Sequence, residues 1–156
     1  MNPPAIKQRT DWYCMPACGE MAARRWGWRV PQEAIAGAID RIGDGIEENG
    51  VGPYQLSRAL RGFGFDAHAH RIRTRTQLAG FLTRGIPVVA CAYLTRYYEE
   101  DDYFHAYLLT GLEKDVLSVR DPLDTRRRRF SYRHFRASWM HGDNGWATVI
   151  GPPRSA

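Results

Sequence analysis

The spacing of apolar and polar positions changes about halfway along the chain. From Asp11 to about Trp26, Ala17, Cys18, Met21 and Ala22 recur at helical spacing, and Gly27 is a natural stop. Pro31 opens a second helix reaching about Ile39, with Gln32 and Glu33 in its first turn and Ala34, Ile35 and Ile39 as its apolar side. A glycine-rich loop, Gly43 to Gly52, follows; Pro53 then starts a third helix carrying Leu56, Ala59 and Leu60, ended by Gly62 or Gly64. From Phe65 to Ile72 the period drops to two, with Phe65, Ala67 and Ala69 alternating against Asp66, His68 and His70, the pattern of an exposed strand. Thr76 to Thr83 returns to helix, with Leu78, Phe81 and Leu82 on its apolar side.

The remainder predicts strands. Ile86 to Tyr93 is a nearly continuous apolar run, as expected of a buried strand. Phe104 to Leu112, a turn over Gly111 to Asp115, and Val116 to Arg120 predict a hairpin. Arg128 to Tyr132 reads as another short strand, and His134 to Met140 as a short helix with Phe135 and Trp139 inward. Trp146 to Ile150 is expected to close the sheet, leaving Gly151 to Ala156 as a tail. Helices followed by an antiparallel sheet make an α+β arrangement.

Length and composition narrow the class. A chain of 156 residues is expected to form one compact domain over residues 1–156 with a single core. Hydrophobic content of 44% with 12% aromatic residues argues for a globular protein and against disorder. No run of apolar residues is long enough to span a bilayer, so no membrane partner is expected. The opening Met1-Asn2-Pro3-Pro4-Ala5-Ile6-Lys7-Gln8 lacks the apolar stretch of a secretory signal. The expected location is cytoplasmic, and export by a dedicated secretion system is compatible with the same residues.

The net charge is +5, and four of the basic residues are the run Arg126 to Arg129. Such a run is a solvated surface or a docking site for an acidic partner, with phosphate binding as a further use. Nucleic acid is not the expected partner, because neither a reading helix nor an aromatic-interleaved basic sheet is visible. Three cysteines are too few for a disulfide framework. Cys18 and Cys91 read as core residues. No metal is expected: the cysteines form no zinc tetrad, and His68 and His70 share a face without a third ligand.

Cys14 is the residue that carries chemistry. It stands at the start of the first helix, where the dipole and the unpaired N–H groups favour a thiolate. Pro16 suits a first helical turn. Gln8, six positions earlier, is placed to donate a side-chain N–H to an oxyanion formed beside Cys14. The candidate base is His105, near the start of the hairpin's first strand, and the candidate orienting group is Asp121, at the end of its second strand. A hairpin turning near Lys114 brings its two open ends together, and with them the imidazole and the carboxylate.

Three segments resemble one family. Gln8, five intervening residues, Cys14 and then Pro16-Ala17 resemble the opening of the C39 peptidases, papain-like cysteine peptidases that remove double-glycine leader peptides from bacteriocins. His105-Ala106-Tyr107-Leu108-Leu109-Thr110-Gly111-Leu112, with Val119-Arg120-Asp121-Pro122, resembles the family's histidine strand and Asp-Pro turn. Phe135 and Trp139 resemble its closing aromatic motif. The resemblance implies a papain-like fold with N-terminal helices packed on an antiparallel sheet. It also implies a nucleophile at Cys14, a general base at His105, an orienting carboxylate at Asp121, and an oxyanion hole from Gln8 and the Cys14 N–H. The implied reaction is peptide-bond cleavage through a thioester, after small residues such as Gly-Gly. No cofactor is implied. Met15 stands where the family usually has glycine, which bears on the width of the cleft.

Other readings share these residues. An acyltransferase or deamidase would use the same triad with an acceptor other than water. A non-catalytic peptide- or partner-binding module would instead centre on Arg126 to Arg129. As a peptidase the chain would act in peptide maturation, or as an interbacterial toxin with an immunity or inhibitor protein as partner. The acidic loop Glu99 to Asp102, just before His105, would favour basic residues in the substrate.

Overall fold

The computed structural model describes residues 1–42, 51–93 and 104–154. The glycine-rich stretch over residues 43–50 and the acidic stretch Glu99 to Asp102 lie outside the described residues. The elements, in chain order, are α1 (Cys14–Arg25), α2 (Gln32–Ile42), α3 (Pro53–Gly62), β1 (Phe65–Arg71), α4 (Arg75–Thr83), β2 (Val88–Tyr93), β3 (Phe104–Glu113), β4 (Val116–Arg120), β5 (Arg127–Ser131), α5 (Tyr132–Asp143) and β6 (Trp146–Pro153).

Six strands form one antiparallel sheet in the order β1-β6-β2-β3-β4-β5. The last strand in sequence therefore does not close the sheet. β6 lies between β1 and β2, and it runs on to Pro153, where a tail was expected. Its placement needs pairing with β1, some 80 residues earlier, which no local pattern encodes.

Helices cover both faces of the sheet. Val89 and Cys91 of β2, with Ala106 and Leu108 of β3, pack against residues of α1, α2 and α3. Val88, Ala90 and Ala92, with Tyr107 and Leu109, pack against Leu78 and Leu82 of α4 and Phe135 and Trp139 of α5. Alternate residues thus feed two cores, which is why β2 and β3 read as apolar runs in the sequence. Burying the larger of these side chains stabilises the fold by roughly 1.5–3 kcal/mol each.

α1 is buried from Met15 to Ala23, and its two arginines, Arg24 and Arg25, fall in the last turn, where the dipole favours cations. A Cβ on Gly19 would come within 3.0 Å of Ile35 Cδ1, so glycine lets α1 and α2 approach closely. α4 begins with Thr74 accepting from the Gln77 N–H. Phe135 and Trp139 of α5 are fully buried, as their spacing predicts.

Candidate active site

α1 begins at Cys14 because the chain turns just before it. Tyr13 N–H donates to Thr10 O (3.2 Å), and Ala17 N–H then donates to Tyr13 O (2.8 Å). Tyr13 is the N-cap and makes no side-chain capping bond. No cap side chain therefore occupies the N–H groups of the first turn, and Cys14, partly exposed, stands among them.

The same turn brings Gln8 back to the helix start. Gln8 is nearly buried, and its Nε2 donates to Thr10 O (2.9 Å). That bond fixes which end of the amide carries nitrogen and leaves a second Nε2–H. The backbone on either side of Gln8 is clamped by Gln32, which is fully buried. Gln32 Nε2 donates to Lys7 O (3.0 Å), and Arg9 N–H donates to Gln32 Oε1 (2.8 Å). Buried Glu20 holds Gln32 in turn, accepting from its backbone N–H (3.0 Å) and its Nε2 (3.2 Å). The sequence placed Gln32 only as a polar residue of a helix's first turn; its reach to residues 7–9 depends on how α1 and α2 pack.

β3 supplies His105, fully buried, with its ring edge-on to Tyr107 at 5.0 Å. In the hairpin Leu108 pairs with Arg120, and a register shift separates Leu109 from Gly111. Asp121 follows the last paired residue of β4. The open-end geometry expected from the sequence is present: His105 Nε2–H donates to Asp121 Oδ1 at 2.8 Å. Asp121 Oδ1 also accepts the Leu123 N–H (2.9 Å), and Arg128 Nε sits 3.0 Å from Asp121 Oδ2. Arg128 extends to Asp124 as well.

The two halves of the site meet. Gln8 N–H donates to Pro122 O at 2.7 Å, which ties the segment before α1 to the residue after Asp121. Cys14 is the second group that acts on His105, and with Nε2 committed to Asp121 the ring nitrogen left for it is Nδ1. Burial is the strongest influence on His105 and favours the neutral ring. The hydrogen bond to Asp121, the neighbouring Cys14 and the charges of both outweigh it and raise the pKa above 6.5.

The other cysteines have a different environment. Burial pushes the thiols of Cys18 and Cys91 well up, as expected of core residues. Met15 is turned into the core, and the Cys91 thiol donates weakly to its sulfur (3.7 Å). The side chain following Cys14 therefore packs inward, against Cys91. His68 contacts Asp66, and among the described residues no three His, Cys, Asp or Glu side chains gather as a metal site. Arg128 is the residue that sequence reading misplaced. The arginine run read as one surface feature, but this member is three-quarters buried and contacts Asp121. Strand alternation within the run was the available signal.

Residues 1–144 match the model of the Peptidase_C39 like family. Comparison with curated proteins finds no match. Among solved structures, the fold is similar to that of a Bacillus anthracis protein described as a C39-like peptidase. The TM-score is 0.76 at 19% identity, over 98% of this chain and 96% of that one. It is also similar to the peptidase domain of Streptococcus ComA, a bifunctional ABC transporter involved in quorum sensing (TM-score 0.73, 16% identity, 97% and 99% covered). A third is a double glycine motif protease from an AMS/PCAT transporter, in complex with a leader peptide (TM-score 0.69, 18% identity, 97% and 92% covered). Among the described residues, no helix of this chain is long and apolar enough to cross a membrane.

Proposed function

The chain belongs to the Peptidase_C39 like family and is a cysteine peptidase, and from that premise we propose that it cleaves a peptide after small residues, Gly-Gly in the first instance, through Cys14, His105 and Asp121. The observation carrying the reading is the buried imidazole of His105, which bonds Asp121 through Nε2 and whose pKa both Asp121 and Cys14 raise. The solved double glycine motif protease with its leader peptide supports the substrate class, and with it a role in peptide maturation.

In the proposed reaction His105 takes the Cys14 proton, and the thiolate attacks the carbonyl carbon before the scissile bond. A C–S bond forms and the carbonyl oxygen becomes an oxyanion. The second Nε2–H of Gln8 and the Cys14 N–H donate to it, each such donor being worth about 10²–10³ in rate. His105 then gives its proton to the leaving amine, the C–N bond breaks, and a thioester remains. Water, deprotonated by His105, attacks the thioester and releases the acid and the free thiol. Asp121 keeps the imidazole in one tautomer and stabilises its charged form throughout.

The test is incubation with a peptide containing one Gly-Gly bond, followed by mass analysis. Two fragments summing to the substrate plus one water, absent with Cys14→Ala, are expected. A product joined to an added amine would instead assign an acyltransferase. No Cys14-dependent product from a panel of small-residue peptides would overturn the reading.

A further inference from the structure

The arginine run is divided by the pleat of β5. Phe130 points into the core beside Leu117 and Val119, and Arg128, two positions away, shares that side and meets Asp121. Arg127 and Arg129 point to the opposite side. There Arg127 lies directly across from Arg120 of β4, and Arg129 across from Ser118. These side chains, with Thr110 and Gly111 of β3, line a cavity of about 310 Å³. We propose that this cavity is a binding site for a soluble phosphate ester carrying at least two negative charges.

Four arginines, Arg120, Arg127, Arg128 and Arg129, line the cavity with Met1, and no carboxylate is among its lining residues; of the four, only Arg128 is paired with carboxylates among the described residues. Like charges directly opposite one another on adjacent strands destabilise a sheet. The Arg120–Arg127 pair is such a case, and Arg120 is only 4% exposed. Burial and the neighbouring Arg127 charge both lower the Arg120 pKa. Arg120 is fixed in place by donating from Nε to Pro3 O (3.1 Å) and from Nη2 to Asn2 Oδ1 (2.6 Å). Both acceptors are neutral, so the cation is oriented but not compensated. Among the described residues no carboxylate pairs with Arg127 or Arg129, whereas Arg128 of the same run is paired with two.

The chemistry favours phosphate over a carboxylate-bearing peptide. Guanidinium forks match phosphate oxygens bidentately, and several forks around one small concavity suit one compact polyanion. The volume is at the small-molecule end of ligand cavities, near the roughly 300 Å³ lower bound. Ser118 offers a hydroxyl on the same side.

Calorimetric titration with inorganic pyrophosphate at low ionic strength tests the site. The wild type and Arg126→Gln, whose side chain is outside the cavity lining, are expected to bind equally. Arg127→Gln/Arg129→Gln is expected to bind at least tenfold more weakly. If the double variant fails to fold, Arg129→Gln alone, at an exposed position, is expected to weaken binding several-fold. No binding by the wild type, or an equal loss in Arg126→Gln, overturns the proposal. Binding of a hexaglutamate peptide with the same arginine dependence, without pyrophosphate binding, also overturns it. The titration needs no peptidase activity, so it stands apart from the cleavage assay.

Discussion

Glu20 and Asp121 are both buried carboxylates that act on the site through other residues, and they are used differently. Glu20 accepts only neutral amide N–H groups, both from Gln32, which passes the constraint to Lys7 and Arg9. Asp121 accepts an imidazole N–H and a backbone N–H and faces a guanidinium. One carboxylate fixes the shape of the segment carrying Gln8. The other fixes shape and also sets the charge state of its partner. A neutral isostere should therefore be nearly silent at Glu20 and severe at Asp121.

The largest effect is expected for Asp121→Asn. Swapping the carboxylate for an amide disturbs the tautomer and orientation of His105 and removes its counter-charge, for a fall in kcat of about 10³-fold or more. Rates on a Gly-Gly peptide check this, and a loss under tenfold would break the comparison. Arg128→Gln comes next. It removes the group beside Asp121 Oδ2 while leaving His105 and Cys14 in place. A fall in kcat of about tenfold with KM nearly unchanged is expected, as for a misaligned base, with partial rescue by Arg128→Lys.

A smaller effect appears in stability against pH. The His105 pKa is raised in the folded state, so its contribution is complete below the ordinary value of 6.5 and is lost as pH rises through the raised one. Urea unfolding of wild type and His105→Gln should show the wild-type advantage shrinking as pH rises through that window. An advantage that grows with pH would mean burial wins and the ring folds neutral. The smallest effect is expected for Glu20→Gln, whose side-chain oxygen can still accept from Gln32. Activity should stay within about threefold, the size of one weakened neutral hydrogen bond.

The two sides also differ in how legible they were. Cys14, Pro16 and Gln8 lie within one short stretch, and a helix start can be read locally. His105 and Asp121 were legible because a hairpin links them, although the bulge after Leu109 shifts the simple pairing. The supports were not legible. Gln32 reaches Lys7 and Arg9 only because α2 packs on α1, and Arg128 reaches Asp121 only in the register that pairs Val119 with Arg128. The place of β6 inside the sheet was hidden for the same reason: it depends on contacts far apart in sequence.

The most direct test of a coupled Cys14–His105 pair is intact-protein mass spectrometry after brief iodoacetamide treatment near pH 6, on wild type and His105→Ala. Cys18 and Cys91 are buried with thiols pushed well up, so they should stay unlabelled. A single adduct at Cys14 is expected in the wild type, formed at least tenfold more slowly in the variant. No adduct at Cys14, or equally slow labelling of both proteins, would contradict it.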